Sequence, residues 1–454
     1  VFVAWKGAYS LYRITRPSLP VVDYKQAERT LIESWLSADD RASGHNAFDF
    51  IHRAGEIYET IERSCEQPEG AEDSESDSWD HPYLGFGEAI GCDEQPSDDS
   101  LPSDVLLQAM HKIEAAGVLD LLDQASAHQR AVIDRDAQEL MFGFESGIDL
   151  RRQSRALARF SAYRAARQLD AGNLDEAGRS LRHVLMLAGA FHAQADVIAH
   201  LSAYAIDGIA LEVALRRVDC PDEQTLVSLF GIVSAVDDPP PLSRAVEGER
   251  LALLEVYQSV FTGIPPRNND LSHFPSANTL KLVLLHQDAA QAVNEYFDAV
   301  AAWVDAPRDN RDARREQVER IADRAPKGVT VGMLTDGYAR FIATRDRVIS
   351  RRRAATLILA IALYRERHGR LPASLEDLTP SILPSLPQDP FAPDGRFGFR
   401  VDGDPADPDC AFTVYSVGAD GADDGGRPKH FDPHQAFEAD SDEGTDIVFY
   451  PVAD

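Results

Sequence analysis

The sequence predicts a mainly α-helical protein: a long helical body, repeat-like at one point, then a small α+β unit with a three-stranded antiparallel sheet. Three observations predict it. Apolar residues recur at spacings of three and four through the first three quarters of the chain. Beyond Gly369 short apolar runs of strand type take over, separated by Gly, Pro and Asp. A chain of 454 residues is too long for one ordinary core. The expected units are a helical segment over 1–64, a mobile acidic loop over 65–104, a helical body over 105–349 and an α+β domain over 350–454.

The helical elements follow in order. Ala27, Leu31, Ile32 and Trp35 make one stripe, and Phe48, Ile51, Ala54, Ile57 and Ile61 make a second. From Cys65 to Asp104 the period is lost among Glu, Asp, Ser, Gly and Pro, with Trp79, Tyr83, Leu84 and Phe86 as candidate anchors to a neighbouring surface. Leu106, Met110, Ile113 and Leu119 restore it, as do Leu157, Phe160, Tyr163 and Leu169. Gly172-Asn173-Leu174-Asp175-Glu176-Ala177 has the form of a tetratricopeptide turn, with Gly172 closing one helix and Asn173 capping the next. No second copy follows, although repeats need about three units to bury a core. Val197–Val218 is a strong helix ended by Cys220-Pro221, and Asp222-Glu223-Gln224 opens another. Helices are also expected from Gly248-Glu249-Arg250 onward and over Gln287–Val304, with a loop at Pro265–Pro275. The mixed charges of Arg308–Arg324 read as a solvated helix face.

The net charge of −30 disfavours nucleic acid and anionic membrane surfaces as partners. It is concentrated in two places. Ser64–Asp104 holds 13 acidic residues and no Lys or Arg; Val401–Asp454 holds 14 against Arg427 and Lys429. These segments carry −13 and −12, so −25 of the total is local. Of the four cysteines, none forms a C-x-x-C pair, and a Cys65–Cys92 bridge stays open for an exported protein. No apolar run approaches the ~20 residues needed to cross a bilayer. The chain begins Val1-Phe2-Val3 without Met, so a membrane enters this reading only through an anchor missing from the chain.

The C-terminal region carries the one multi-part signature. It comprises the apolar helix Leu357–Tyr364, then His368-Gly369-Arg370-Leu371-Pro372, Leu386-Pro387-Gln388-Asp389-Pro390-Phe391, Val414–Gly421 and Asp446-Ile447-Val448-Phe449. Ser374 caps a short second helix, and Phe397–Val401, Phe412–Val417 and Ile447–Val452 read as strands. In that order the pattern resembles the C-terminal globular part of the major pseudopilin of type II secretion systems. The whole chain resembles bacterial proteins that join a long helical region to such a domain. The resemblance implies a calcium ion held in the loop after the second strand, with Asp420 and Asp446 at matching positions. Asp423 and Asp424 fall in the same loop, and the backbone of Val417 adds a carbonyl. Calcium takes six to eight hard oxygens, and Gly418, Gly421, Gly425 and Gly426 let the backbone turn carbonyls inward. The loop from Gly426 to Asp446 is longer than the family's, and the prepilin motif is absent from this chain, so a filament subunit is not expected. The twelfth position from Asp420 is Phe431, which excludes an EF-hand. His430, Asp432 and His434 form a second, weaker candidate for a transition metal.

Enzyme signatures are missing. In Gly143-Phe144-Glu145-Ser146-Gly147 the Ser is one place off a nucleophile elbow, and Gly85-Phe86-Gly87 lacks dinucleotide spacing. His183, His192 and His200 are spaced nine and eight apart and share no helix face. The leading expectation is a non-enzymatic cell-envelope or secretion-associated protein, with a protein partner on the helical body and a calcium-binding C-terminal module. The alternatives are a helical-repeat scaffold whose C-terminal domain is purely structural, and a hydrolase with a cleft in the helical body.

Overall fold

The computed structural model describes residues 22–42, 44–65, 86–90, 103–133, 145–219, 222–262, 286–324, 335–404, 410–426 and 446–450. The protein is mainly helical and ends in a three-stranded antiparallel sheet, as the apolar periodicity predicts. The first helices are α1 (Tyr24–Ser34), α2 (Ala38–Ala42), α3 (Ala47–Cys65), the short α4 (Phe86–Ala89), α5 (Ser103–Ala115) and α6 (Val118–Ser126). The body continues with α7 (Glu145–Asp170), α8 (Leu174–His192), α9 (Val197–Leu215), α10 (Glu223–Ser234), α11 (Ser243–Thr262), α12 (His286–Val304), α13 (Arg311–Arg324) and α14 (Thr335–His368).

Helix α8 packs between α7 and α9, and α3 leans on α6 and α7. Local chemistry sets the ends. Asp196 caps α9 by accepting the Ala199 N–H at 2.7 Å, and Asp222 caps α10 by accepting the Thr225 N–H at 3.0 Å. Gly172 sits at φ +75° between α7 and α8, where a Cβ would strain the backbone. The expected cap at Asn173 is not made: its amide donates instead to Gln168 Oε1 at 2.8 Å. The mixed-charge helix α13 buries only Val318, so it is a solvated face.

In the acidic stretch, Phe86 is buried against Phe160 and Tyr163. Trp79, Tyr83 and Leu84 lie outside the described residues, with most of the expected loop. Cys65 is a free thiol, while Cys92 lies outside the described residues.

Helix α14 has 34 residues, about 50 Å at 1.5 Å per residue. The sequence places a domain boundary at 349/350. That boundary falls inside α14. Arg351, Arg352 and Arg353 are anchors to the body: Arg351 pairs with Glu212 at 3.0 Å, Arg352 with Asp207 at 2.5 Å and Arg353 with Asp238 at 2.5 Å. The C-terminal half of α14 is apolar all round because it is enclosed on both sides. Its Leu357–Tyr364 stretch joins one core with Leu226 and Leu229 of α10 and with Phe412 and Val414 of the sheet.

Strands β1 (Gly398–Val401), β2 (Phe412–Ser416) and β3 (Ile447–Tyr450) lie in that order, all antiparallel. The central strand β2 is buried throughout, and the register shifts between Val414 and Tyr415 where it meets β3. Before the sheet, a 3₁₀ turn over Leu375–Leu378 carries the expected Ser374 cap, reciprocated by Asp377. Tyr450 fastens the far edge to the body by donating its hydroxyl to Asp219 at 2.9 Å.

Candidate functional site

The acidic turn after β2 is built on glycines. Gly418, Gly421, Gly425 and Gly426 all have φ between 67° and 76°, a region that L side chains rarely adopt. The Tyr415 ring lies directly on two glycines: a Cβ at Gly398 would sit 2.1 Å from it, and one at Gly426 2.6 Å. So placed, the Tyr415 hydroxyl donates to Asp423 Oδ1 at 3.0 Å, which also accepts the Gly425 N–H at 2.8 Å. Burial, and then the Asp423 carboxylate, push the Tyr415 hydroxyl up to about 12.

Asp446, at the head of β3, is only 4% exposed. Its Oδ2 accepts the Gly426 N–H at 2.7 Å, and its Oδ1 is buried with no hydrogen-bond partner among the described residues. Burial raises its pKa first, the backbone N–H groups of Gly426 and Asp424 pull it partly back, and the charges of Asp423 and Asp424 raise it again. The structure therefore brings Asp423, Asp424 and Asp446 into one electrostatic group. Asp420 points elsewhere, accepting the Ala422 N–H of its own turn at 3.0 Å. Val417 is buried beside Asp389, whose carboxyl also meets Ser350 and Ser416. Among the described residues no set of three or more His, Cys, Asp or Glu side chains converges as a ready metal cage. His430, Asp432 and His434 lie outside the described residues.

A second polar cluster was not foreseen. His200, Tyr204 and Asp207 of α9 are all buried, and they face His192 of α8 and Arg352 of α14. Asp207 Oδ2 lies 2.9 Å from His192 Nε2 and 2.5 Å from Arg352 Nη2. His200 Nε2 meets the Gln194 carbonyl at 3.1 Å. His192 Nδ1, His200 Nδ1, the Tyr204 hydroxyl and Asp207 Oδ1 have no hydrogen-bond partner among the described residues. Burial holds His200 down at about 4 and pushes the Tyr204 hydroxyl well above its usual range. His192 and His200 come together from opposite sides of a helix–helix turn, so their linear spacing hid the contact. The legible signal was inside α9: His200, Tyr204 and Asp207 stand at i, i+4 and i+7 in a helix whose other polar residues are only Ser202 and Glu212. His183 lies apart, 2.6 Å from Asp123 of α6.

That cluster can orient an imidazole on a carboxylate, the arrangement of a general base. Yet its side chains line neither of the two grooves found on the body. Its contacts fasten α14 to α8 and α9. By length and composition α9 could cross a membrane, at mean hydropathy 1.4, but 67% of its apolar window is buried within the fold. No protein-family model, curated protein or solved structure matches the chain.

Proposed function

We propose that this chain is a non-enzymatic binding protein of the cell envelope or of an export route, with a protein partner on its helical body and a calcium-stabilised C-terminal unit. The observation that carries the calcium reading is the orphaned, buried Oδ1 of Asp446 beside Asp423 and Asp424. Such a group is costly when ionised alone and suited to a hard divalent cation, which supplies the missing charge and takes carboxylate oxygens. Asp423, Asp424 and Asp446 would hold the ion. Val417 and Asp420 belong to the same turn, and the resemblance noted above assigns them to it. Envelope localisation rests on that resemblance alone.

The test is thermal unfolding of the full chain in chelator, calcium or magnesium. Calcium at a hundred times its Kd adds about 2.7 kcal/mol to a protein that binds it only when folded. Magnesium should add much less, because it keeps its waters and demands an octahedron. Asp446→Asn retains an acceptor for the Gly426 N–H but lacks the charge. It should melt higher than the parent in chelator and lose the calcium response. Equal shifts from both ions, or an Asp446→Asn variant that answers calcium like the parent, would leave a purely structural C-terminal unit on a scaffold.

A further inference from the structure

A groove of about 860 Å³ runs along the outer faces of α8 and α10. Its α8 wall extends from Leu174 to Ala193 at helical spacing, about 28 Å of wall at 1.5 Å per residue. Apolar side chains line it from three elements: Leu185 and Met186 of α8, Val227 and Ile232 of α10, and Trp35 just beyond α1. Val227 is 43% exposed, one of the few large hydrophobic side chains of the described residues left in water. At Gly189 and Gly231 the wall is bare helix backbone, and a Cβ built on either meets nothing within 4 Å. Interaxial distance between packed helices is set by the side chains at the crossing, so these two points admit close approach of another helix.

The charge of the groove opposes that of the protein. Arg182 and Arg244 line it, with Asp175 the single carboxylate among its lining residues. The Arg244 guanidinium lies 4.7 Å above the Trp35 ring and is half-buried. In a chain of net charge −30, two arginines facing an apolar trough select for a partner that brings its own carboxylate.

We propose that this groove seats one amphipathic helix of a protein partner, its apolar face along Leu185, Met186, Val227 and Ile232, with an Asp or Glu side chain reaching Arg244 or Arg182. Helix-in-groove docking uses anchors at i, i+3, i+4 and i+7, and the wall is long enough for four to five turns at ~5.4 Å each. The inference rests on the reading of the body as a partner-binding surface and gives that surface a place and a chemistry.

The experiment is panning of a phage-displayed library of random 16-residue peptides against the full chain, followed by affinity measurements on parent and variants. The blocking variant is Gly231→Tyr, whose added side chain enters open groove, so the fold is retained and circular dichroism checks it. The charge variant is Arg244→Glu. The expected result is enrichment of amphipathic peptides carrying Asp or Glu. Gly231→Tyr should lose their binding, and Arg244→Glu should weaken it at least about tenfold, the equivalent of one ~1.4 kcal/mol interaction. Peptides that bind both variants like the parent would overturn the groove while leaving partner binding by the body intact. No enrichment at all would overturn both. Displacement of the peptides by dodecanoate, with dodecanoate itself bound in the groove at micromolar concentration, would overturn the helix in favour of a small anionic amphiphile.

Discussion

Removing the Asp207 carboxylate should loosen the join between the helical body and the C-terminal unit. Asp207 is 2% exposed and holds the Arg352 guanidinium at 2.5 Å and His192 Nε2 at 2.9 Å. Asp207→Ala leaves a buried guanidinium whose remaining partner is the Asp237 carbonyl. Breaking a buried pair from one side costs about 3–5 kcal/mol, roughly two to three and a half decades in the unfolding equilibrium. Orphaning His192 Nε2 accounts for about 1–3 kcal/mol of that total. The double variant Asp207→Leu with Arg352→Met replaces the pair by apolar groups of similar bulk, which is often neutral. It should recover most of the loss, short of the His192 contribution. Urea unfolding of the full chain followed by circular dichroism measures the parent, Asp207→Ala, the singles Asp207→Leu and Arg352→Met, and the double variant. A loss below about 1 kcal/mol for Asp207→Ala would refute the buried-pair argument. So would a double variant whose loss equals the sum of the singles, because contacting residues should couple by about 0.5–3 kcal/mol.

Three further outcomes follow from the same contacts. His200 titrates near 4 when folded and near its ordinary 6.5 when unfolded, so its contribution is complete above pH 6.5 and is lost as pH falls toward 4; the full difference is about 3 kcal/mol at ~1.4 kcal/mol per unit, and the parent should lose more stability over that window than His200→Gln, identical slopes being the contrary result. Gly248→Ala should unfold the protein or cost more than about 3 kcal/mol, because its Cβ would lie 1.6 Å from the Ala195 carbonyl oxygen, whereas Gly189→Ala, with open space around it, should gain about 0.5–1 kcal/mol in helix propensity; both are read from thermal melts. A fragment beginning at Ser350 should remain largely unfolded even in calcium, since it exposes the Leu357–Tyr364 faces that pack on α10; a cooperative melt of that fragment would show that the sheet alone encloses the helix.

The sequence by itself determined the elements. Apolar spacing of three and four, capping residues such as Asp196 and Asp222, and punctuating glycines act within a few residues of themselves. Most of the helices, the three strands and the glycine-rich acidic turn were therefore legible, whereas the short helix Phe86–Ala89 and the first half of Thr335–His368 were not. In the acidic turn Asp423 and Asp424 act electrostatically on Asp446 without converging with it as a cage, whereas the side chain of Asp420 is taken by its own backbone. Tertiary structure alone decided the rest. The anchoring role of the arginines at 351–353 had no local sign, because their acidic partners, Glu212, Asp207 and Asp238, stand more than a hundred positions away in the chain. His192 and His200 met only once α8 and α9 folded back on each other, and the groove exists only because α8 and α10 leave space between them. Local propensity reports what a residue does to its own backbone; which faces meet is fixed by burial of the whole chain, and that information is spread over side chains far apart in sequence.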